Sequence, residues 1–315
     1  MEIILVTGGT GLVGSAIHDI SKDYNFRFVF IGSRDCDLTN YEQTIDFFKK
    51  INPSYVIHLA ANVGGLFKNM SQKVEMLDIN ITINRNVLKC AHEMGVKKLI
   101  SCLSTCIFPD ETTYPINEDM LHDGPPHSSN YAYAYAKRIL EIQSRSYQEQ
   151  FGDNFICVIP TNIYGPHDNF NLEDAHVIPA LIHKCHQSKL NNNPFVVAGT
   201  GKPLRQFIFS RDLAKLIMNI LMYYHEKESI ILSVSEEDET SIGEVAQMIA
   251  GTYQYEDRLI FDASKADGQY KKTANNSKLV RFLAENNIEF TFTTMEQGVK
   301  ETIEWFTDHY ESCRK

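Results

Sequence analysis

The sequence predicts an α/β protein built on a doubly wound parallel sheet, and three observations predict it. Short β-rich apolar runs alternate with longer helical patterns through the first half of the chain, which implies right-handed βαβ units. A glycine-rich stretch, "TGGTGLVG", stands between the first run and the first helical pattern. After Thr161 the rhythm becomes irregular, as expected if a second, smaller lobe caps the sheet.

The elements follow in order. "EIILVTG" is the first strand, a helix is expected near 12–22, "FRFVFIG" is the second strand, and a helix near 41–50 leads to "YVIHLAA". A long helix near 75–94, the run "KKLISCLS", a helix near 131–150 and "FICVIPT" continue the alternation. The stretch "NIYGPHDNFNLEDAH" reads as a polar loop and "VIPALIHKCHQ" as an amphipathic segment. The sheet pattern returns at "RQFIFSRDLAKLIMNILM" and "IILSVS", and the C-terminal part alternates helices with the short strand "RLIFD". The expected division is a sheet domain over 1–165 with a returning segment at about 206–235, and a lobe formed by 166–205 and 236–315.

Bulk properties bound the function. At 315 residues, 43% hydrophobic and 22% charged, the composition is that of a globular protein with a sizeable core. A net charge of -10 argues against a general nucleic-acid surface, so an anionic ligand must be met by local donors. No apolar run reaches the length of a membrane span, and the first residues lack the pattern of a signal peptide. Seven cysteines, an odd number without a CxxC pair, suit reduced thiols and imply no metal site. A cytoplasmic location is therefore expected, with no nucleic acid and no membrane among its partners.

The glycine stretch carries chemistry because of where it stands. Directly after a strand and at a helix start, Gly8, Gly11 and Gly14 allow a tight turn and close backbone approach to a pyrophosphate. The free N–H groups of the helix N-terminus attract such an anion. The expected dinucleotide site is Gly8, Gly9, Thr10, Gly11, Leu12, Val13 and Gly14, which makes the sheet Rossmann-type. In "FIGSRDCDL" the residue expected to be acidic for a ribose 2'-hydroxyl is missing and Arg34 is present, which favours the 2'-phosphate of NADP over NAD. A solvated surface arginine is the plainer alternative.

In "YAYAYAK" only Tyr133 stands four residues before Lys137, on one helix face. An ammonium there is expected to lower the phenol's pKa and let it move a proton near neutral pH, while Tyr131 and Tyr135 are expected to pack. Ser104 closes the fourth strand, where open α/β sheets place their ligands; it is either a second hydroxyl for the same substrate oxygen or a turn cap. Cys106 by itself is either a small hydrophobe or a reactive thiol, and His176 a helix-start residue.

Together the glycine fingerprint, the serine and the YxxxK pair resemble an extended short-chain dehydrogenase/reductase acting on a nucleotide sugar. "HLAANVGG", "STCIFP", "PTNIYGPHDNF", "HVIPALIHK", "GTGKPLRQF" and "DASKADG" have the order and spacing seen in the GDP-L-fucose synthase family, over nearly the whole chain. That resemblance implies NADP(H) as cofactor, GDP-4-keto-6-deoxy-D-mannose as substrate, and 3,5-epimerisation followed by 4-keto reduction. It implies Ser104, Tyr133 and Lys137 as the reductase triad, and Cys106 and His176 as the base and acid of epimerisation. Lys184, Arg205 and Asp267 match positions that hold the GDP-sugar. Pro160, Thr161, Asn162 and Ile163 match a segment beside the nicotinamide, as do His176 and Lys137 on the cofactor side. A homodimer through the two long helices is implied as well. Ala198 departs from the pattern, since many relatives carry an aromatic residue before the glycine of "GTG". Other readings are a nucleotide-sugar epimerase or dehydratase of the same superfamily, and a non-catalytic NADP-binding regulator. A dehydratase wants an acidic residue beside the Ser or Thr of its strand-end motif, which "LSTCIFP" lacks, and a dead regulator has no need of Tyr133 and Lys137.

Overall fold

In the computed structural model residues 1–265, 267 and 270–315 are described. Strands β1 (Ile3–Thr7), β2 (Arg27–Ile31), β3 (Tyr55–His58), β4 (Lys98–Cys102) and β5 (Phe155–Pro160) form one parallel sheet. They are joined by helices α1 (Leu12–Ile20), α2 (Tyr41–Ile51), α3 (Leu66–Ser71), α4 (Lys73–Glu93) and α5 (Tyr131–Phe151). Burial follows strand position. All residues of the central β4 and β5 are buried, whereas β2, at the sheet's edge, buries only Ile31. Strands covered on both faces need apolar side chains on both.

Alternation along β1 divides the core in two. Ile4 and Val6 point to one face and pack with Ile17 and Ile20 of α1; Leu5 points to the other, with Val56, Val87, Leu88 and Leu140. The helix C-caps match local sequence: Asn52 ends α2 and Gly152 ends α5, both in the left-handed conformation.

The chain then leaves the sheet. Short strand β6 (Asn162–Tyr164) follows, where a loop was expected, and then α6 (Val177–Leu190), β7 (Phe195–Ala198), β8 (Leu204–Arg205) and β9 (Phe207–Phe209). Helix α7 (Ser210–Tyr223) returns to the sheet beside α1, and β10 (Ile230–Leu232) enters it as the sixth strand, giving the order β10-β5-β4-β3-β1-β2. Of the two returning segments only β10 joins the sheet, and it is shorter than the run "IILSVS". Strand β9 pairs with β6 instead, because β4 and β10 already occupy both edges of β5.

The lobe is completed by β11 (Thr240–Ser241), α8 (Ile242–Thr252), β12 (Leu259–Asp262), α9 (Ser277–Glu285) and α10 (Met295–Asp308). Ser241 and Glu244 cap α8 reciprocally. Strand β12 runs parallel to β7, and β11 antiparallel to β8. A third core cluster joins α6, α8 and α10 through Ile182, Ile249 and Phe306. Segment 277–292, grouped with the lobe in the sequence reading, packs on the sheet: Leu279 and Phe282 are buried against Ile220 and Tyr224, with Phe290 and Phe292 beside them. Its amphipathic face meets the apolar surface that α7 leaves open.

Candidate active site

A cleft of about 1050 Å³ opens at the carboxyl ends of the strands. Its floor is the glycine turn after β1. Gly8 takes φ +68, and a Cβ there would stand 2.7 Å from the Ala60 amide nitrogen. At Gly14 a Cβ would come within 2.5 Å of the Gly8 carbonyl oxygen, so only glycine lets α1 start this close to the turn. Gly11 N-caps α1 without a side-chain cap, and no acidic residue occupies the first turn. The first N–H groups of α1 are thus left for an anion in the cleft. Gly8, Thr10, Gly11, Leu12, Val13 and Gly14 line it; Gly9 lies behind, its amide donating to the Ile31 carbonyl at 2.8 Å.

Sequence reasoning missed the support behind this turn. Thr7 Oγ1 and His58 Nδ1 are 2.8 Å apart, His58 Nε2 meets Asn84 Oδ1 at 3.0 Å, and all three residues are buried. Burial pushes the His58 imidazole down to about 3. It is therefore a neutral brace linking β1, β3 and α4, and the sequence holds no signal that distinguishes it from any other strand-end histidine. On the β2 side, Gly32, Ser33, Asp37 and Thr39 line the cleft. Arg34 is exposed on the same turn and is not among the lining residues.

Ser104, Tyr133 and Lys137 all line the cleft. Ser104 begins the one-turn helix Thr105–Ile107, and its hydroxyl accepts from the Cys106 amide at 3.4 Å. Tyr133 and Lys137 lie in the first turns of α5; Lys137 Nζ donates to the Cys102 carbonyl at 2.8 Å and stands 5.8 Å from the Tyr133 ring centre. The expected lowering of the Tyr133 pKa is not what this geometry produces. Burial pushes the phenol well above its ordinary value, with the Cys106 and Cys102 thiols, once ionised, adding to the shift. Burial also lowers Lys137. Lys137 points its charge at a carbonyl, and desolvation outweighs it. Tyr133 is thereby kept protonated, as a donor. Tyr131 and Tyr135 are exposed at 40% and 39% rather than packed; each lies beside a cation instead, Lys73 and Arg138 respectively.

Pro160, Thr161, Asn162, Ile163 and His176 line the same cleft. His176 N-caps α6 and is open to the cleft, yet the surrounding walls lower its pKa below the ordinary histidine value. Cys106 is not a lining residue. It is half-buried against the core beneath α5, within electrostatic reach of Tyr133, Lys137, Arg138 and Lys272.

Of the three residues expected to hold the sugar nucleotide, only Lys184 lines a cavity. Lys184 and Ala198 line a second cavity of about 650 Å³, with Gln187 and Asn193. Asp267 is exposed and closes the turn after Ala198, accepting from the Thr200 amide at 2.8 Å and the Thr200 hydroxyl at 2.7 Å, which hold its carboxyl below the usual range. Arg205 is half-buried on β8, its Nη1 donating to the Leu204 carbonyl at 2.7 Å, near Tyr114 and Lys272. Ala266 and Gly268 of "DASKADG" lie outside the described residues. Two charged residues went unnoticed in the sequence. Asp168 is buried in the wall of the cleft, its carboxyl pushed up to about 7 by burial. Lys272 is lowered by burial beside Cys106 and Arg205. Among the described residues no group of His, Cys, Asp and Glu could hold a metal ion, and no helix is long and apolar enough to cross a membrane.

Residues 4–233 match the NAD dependent epimerase/dehydratase family. The chain is 55% identical over 315 residues to the GDP-L-fucose synthase of Dictyostelium discoideum, spanning 99% of this chain and 97% of that protein. It is 48% identical to a probable GDP-L-fucose synthase of Drosophila melanogaster, with 100% of both chains covered. A GDP-L-fucose synthetase from Naegleria fowleri, solved bound to NADP, superposes with a TM-score of 0.94 at 50% identity, covering 100% of this chain and 95% of that one. With a glycine turn, Ser104, Tyr133, Lys137 and His176 facing one cleft, the family match over residues 4–233 and the identity over the full length place the chain in the NAD dependent epimerase/dehydratase family and, within it, among the GDP-L-fucose synthases.

Proposed function

We propose that this chain converts GDP-4-keto-6-deoxy-D-mannose to GDP-L-fucose with NADPH, by 3,5-epimerisation and then reduction of the 4-keto group. The observation that carries the reading is the convergence of Ser104, Tyr133, Lys137 and His176 on the cleft that also holds the bare N-terminus of α1.

The glycine turn and α1 would hold the diphosphate of the dinucleotide, Pro160 to Ile163 its nicotinamide end, and Lys137 the adjoining ribose. NADPH, when bound, supplies the hydride that reduces C4. The chain's own groups do the rest. A 4-keto group makes the hydrogens on C3 and C5 acidic, because either carbanion delocalises onto the same O4. Ser104 and Tyr133 hydroxyls at that oxygen stabilise both enolates and the oxyanion formed on reduction, and the high pKa of Tyr133 keeps its proton available until C4 is reduced. Cys106, next to the lining residues Ser104 and Thr105, would take the proton from C3 or C5, and His176 would return one to the opposite face. His176 is neutral at rest because the cleft walls lower its pKa, so it must gain a proton before it donates one.

Lys184, with Asp267 on the neighbouring turn, and Arg205 beside Lys272 would bind the GDP moiety. In this reading the sheet domain carries the cofactor and the lobe the sugar nucleotide. Exposed Val74 on α4 and Tyr131, Tyr135 and Ile142 on α5 support a homodimer through these helices. Seven unpaired cysteines suit a reducing, cytoplasmic setting. The test is NADPH oxidation with GDP-4-keto-6-deoxy-D-mannose and identification of the product by NMR. GDP-L-fucose is expected; no oxidation, or a product that keeps its configuration at C3 and C5, removes the proposal.

A further inference from the structure

Arg138 follows Lys137 on α5, and the mechanism above makes no use of it. Its side chain is buried, at 6% exposure for the residue. A buried guanidinium is costly unless hydrogen bonds and an opposite charge offset the loss of water. Nε donates to the Ile107 carbonyl at 2.6 Å. That carbonyl closes the turn Thr105–Ile107, of which Cys106 is the middle residue. Nη2 is buried without a hydrogen-bond partner, and no carboxylate forms an ion pair with Arg138 among the described residues. The Tyr135 ring lies 5.6 Å from the guanidinium carbon.

The position therefore holds a positive charge with no negative one to balance it, fastened to the turn that carries Cys106. Burial lowers the Arg138 pKa, and an ionised Tyr135 or Cys106 raises it, which sets the thiol within electrostatic reach. The other groups facing Cys106 are Tyr133 and Lys137 on the same helix and Lys272 from the C-terminal segment. Two of these are cations, but each has a second partner: Lys137 is committed to the Cys102 carbonyl, and Lys272 also meets Asp110.

We propose that Arg138 is a positioning residue for Cys106: its bond to the Ile107 carbonyl sets the turn that presents the thiol to the substrate carbons. This rests on the reading of Cys106 as the base.

The experiment measures alkylation of Cys106 by iodoacetamide against pH in the full chain with NADPH bound, read from the mass of the Cys106 peptide, for wild type, Arg138→Gln and Arg138→Lys. Deuterium incorporation at C3 and C5 of the GDP-sugar product is followed in parallel, with Cys106→Ser as reference. In Arg138→Gln, deuterium incorporation is expected to fall about tenfold, the worth of one hydrogen bond from a charged group, and the alkylation rate of Cys106 to change with it at every pH, while NADPH affinity holds. Arg138→Lys should recover most of both. Should the Gln variant not fold, a folded Arg138→Met variant, which has no donor for the Ile107 carbonyl, with wild-type alkylation and exchange overturns the proposal. So does a folded Gln variant with wild-type alkylation and exchange while Cys106→Ser exchanges nothing. Wild-type exchange in Cys106→Ser, by contrast, removes Cys106 as the base, and with it any catalytic use of Arg138, whatever the alkylation shows.

Discussion

The cofactor end and the sugar-nucleotide end of this molecule are built by different means. At the sheet, each candidate residue is placed by regular structure: the glycine turn by the end of β1, Ser104 by the end of β4, Tyr133 and Lys137 by one face of α5. At the lobe, Lys184 rides on α6, Arg205 on a two-residue strand and Asp267 on a turn that it closes itself. Regular elements fix a side chain's direction from spacing alone. Short ribbons and turns take theirs from whatever they pack against. The difference teaches that the reaction and the recognition of its substrate should respond differently to substitution.

The largest expected effect is at the sheet end. Tyr133→Phe removes only a proton donor, so reduction should fall by about 10²-fold or more, the ordinary yield of general acid catalysis, while NADPH binding measured by fluorescence titration stays near wild type. Substantial turnover by the Phe variant would mean that burial keeps Tyr133 protonated for no catalytic purpose.

At the lobe end, Lys184→Ala and Arg205→Ala should each raise the apparent KM for the GDP-sugar by roughly tenfold, the value of one charge-assisted hydrogen bond, with NADPH affinity unchanged. If only one of the two does so, Lys184 and Arg205 have two different roles, and the comparison sharpens to a single anchoring residue.

Asp168 tests stability rather than chemistry. Burial raises its folded pKa to about 7 from an unfolded value of about 3.9. Between these values the folded state binds a proton that the unfolded chain releases, so this group's stabilising contribution is full below pH 4 and is lost as pH rises to 7. Asp168→Asn should remove that slope, its melting temperature gaining on wild type by a few degrees between pH 4 and 7. Parallel curves would show that Asp168 stays ionised in the wall of the cleft.

The smallest effect concerns Arg34, exposed and outside the lining of the cleft. If its side chain reaches a 2'-phosphate from the rim, Arg34→Ala weakens NADPH by a few-fold and NADH not at all, in keeping with a solvent-screened ion pair. NADPH affinity unchanged in Arg34→Ala would assign selectivity to Ser33 or Thr39, which do line the cleft.

The alternation of strands and helices, the glycine turn and the i,i+4 pairing of Tyr133 with Lys137 were legible in the chain, because each depends on neighbours a few residues away. Tertiary structure decided what depends on distant partners. It sent β9 to β6 instead of the main sheet, and Leu279 and Phe282 to the core beneath α7. It made His58 a neutral brace through Thr7 and Asn84, 51 and 26 residues away. It reversed the expected shift of Tyr133, since the sign of a pKa change is set by how much water burial removes as well as by the cation four residues on. The surroundings of Cys106 belong to the same class. Arg138 was visible three residues after Tyr135, but only folding brought it to the Ile107 carbonyl, 31 residues back along the chain. Spacing is a property of the chain, whereas desolvation and long-range charge pairing exist only once it is packed.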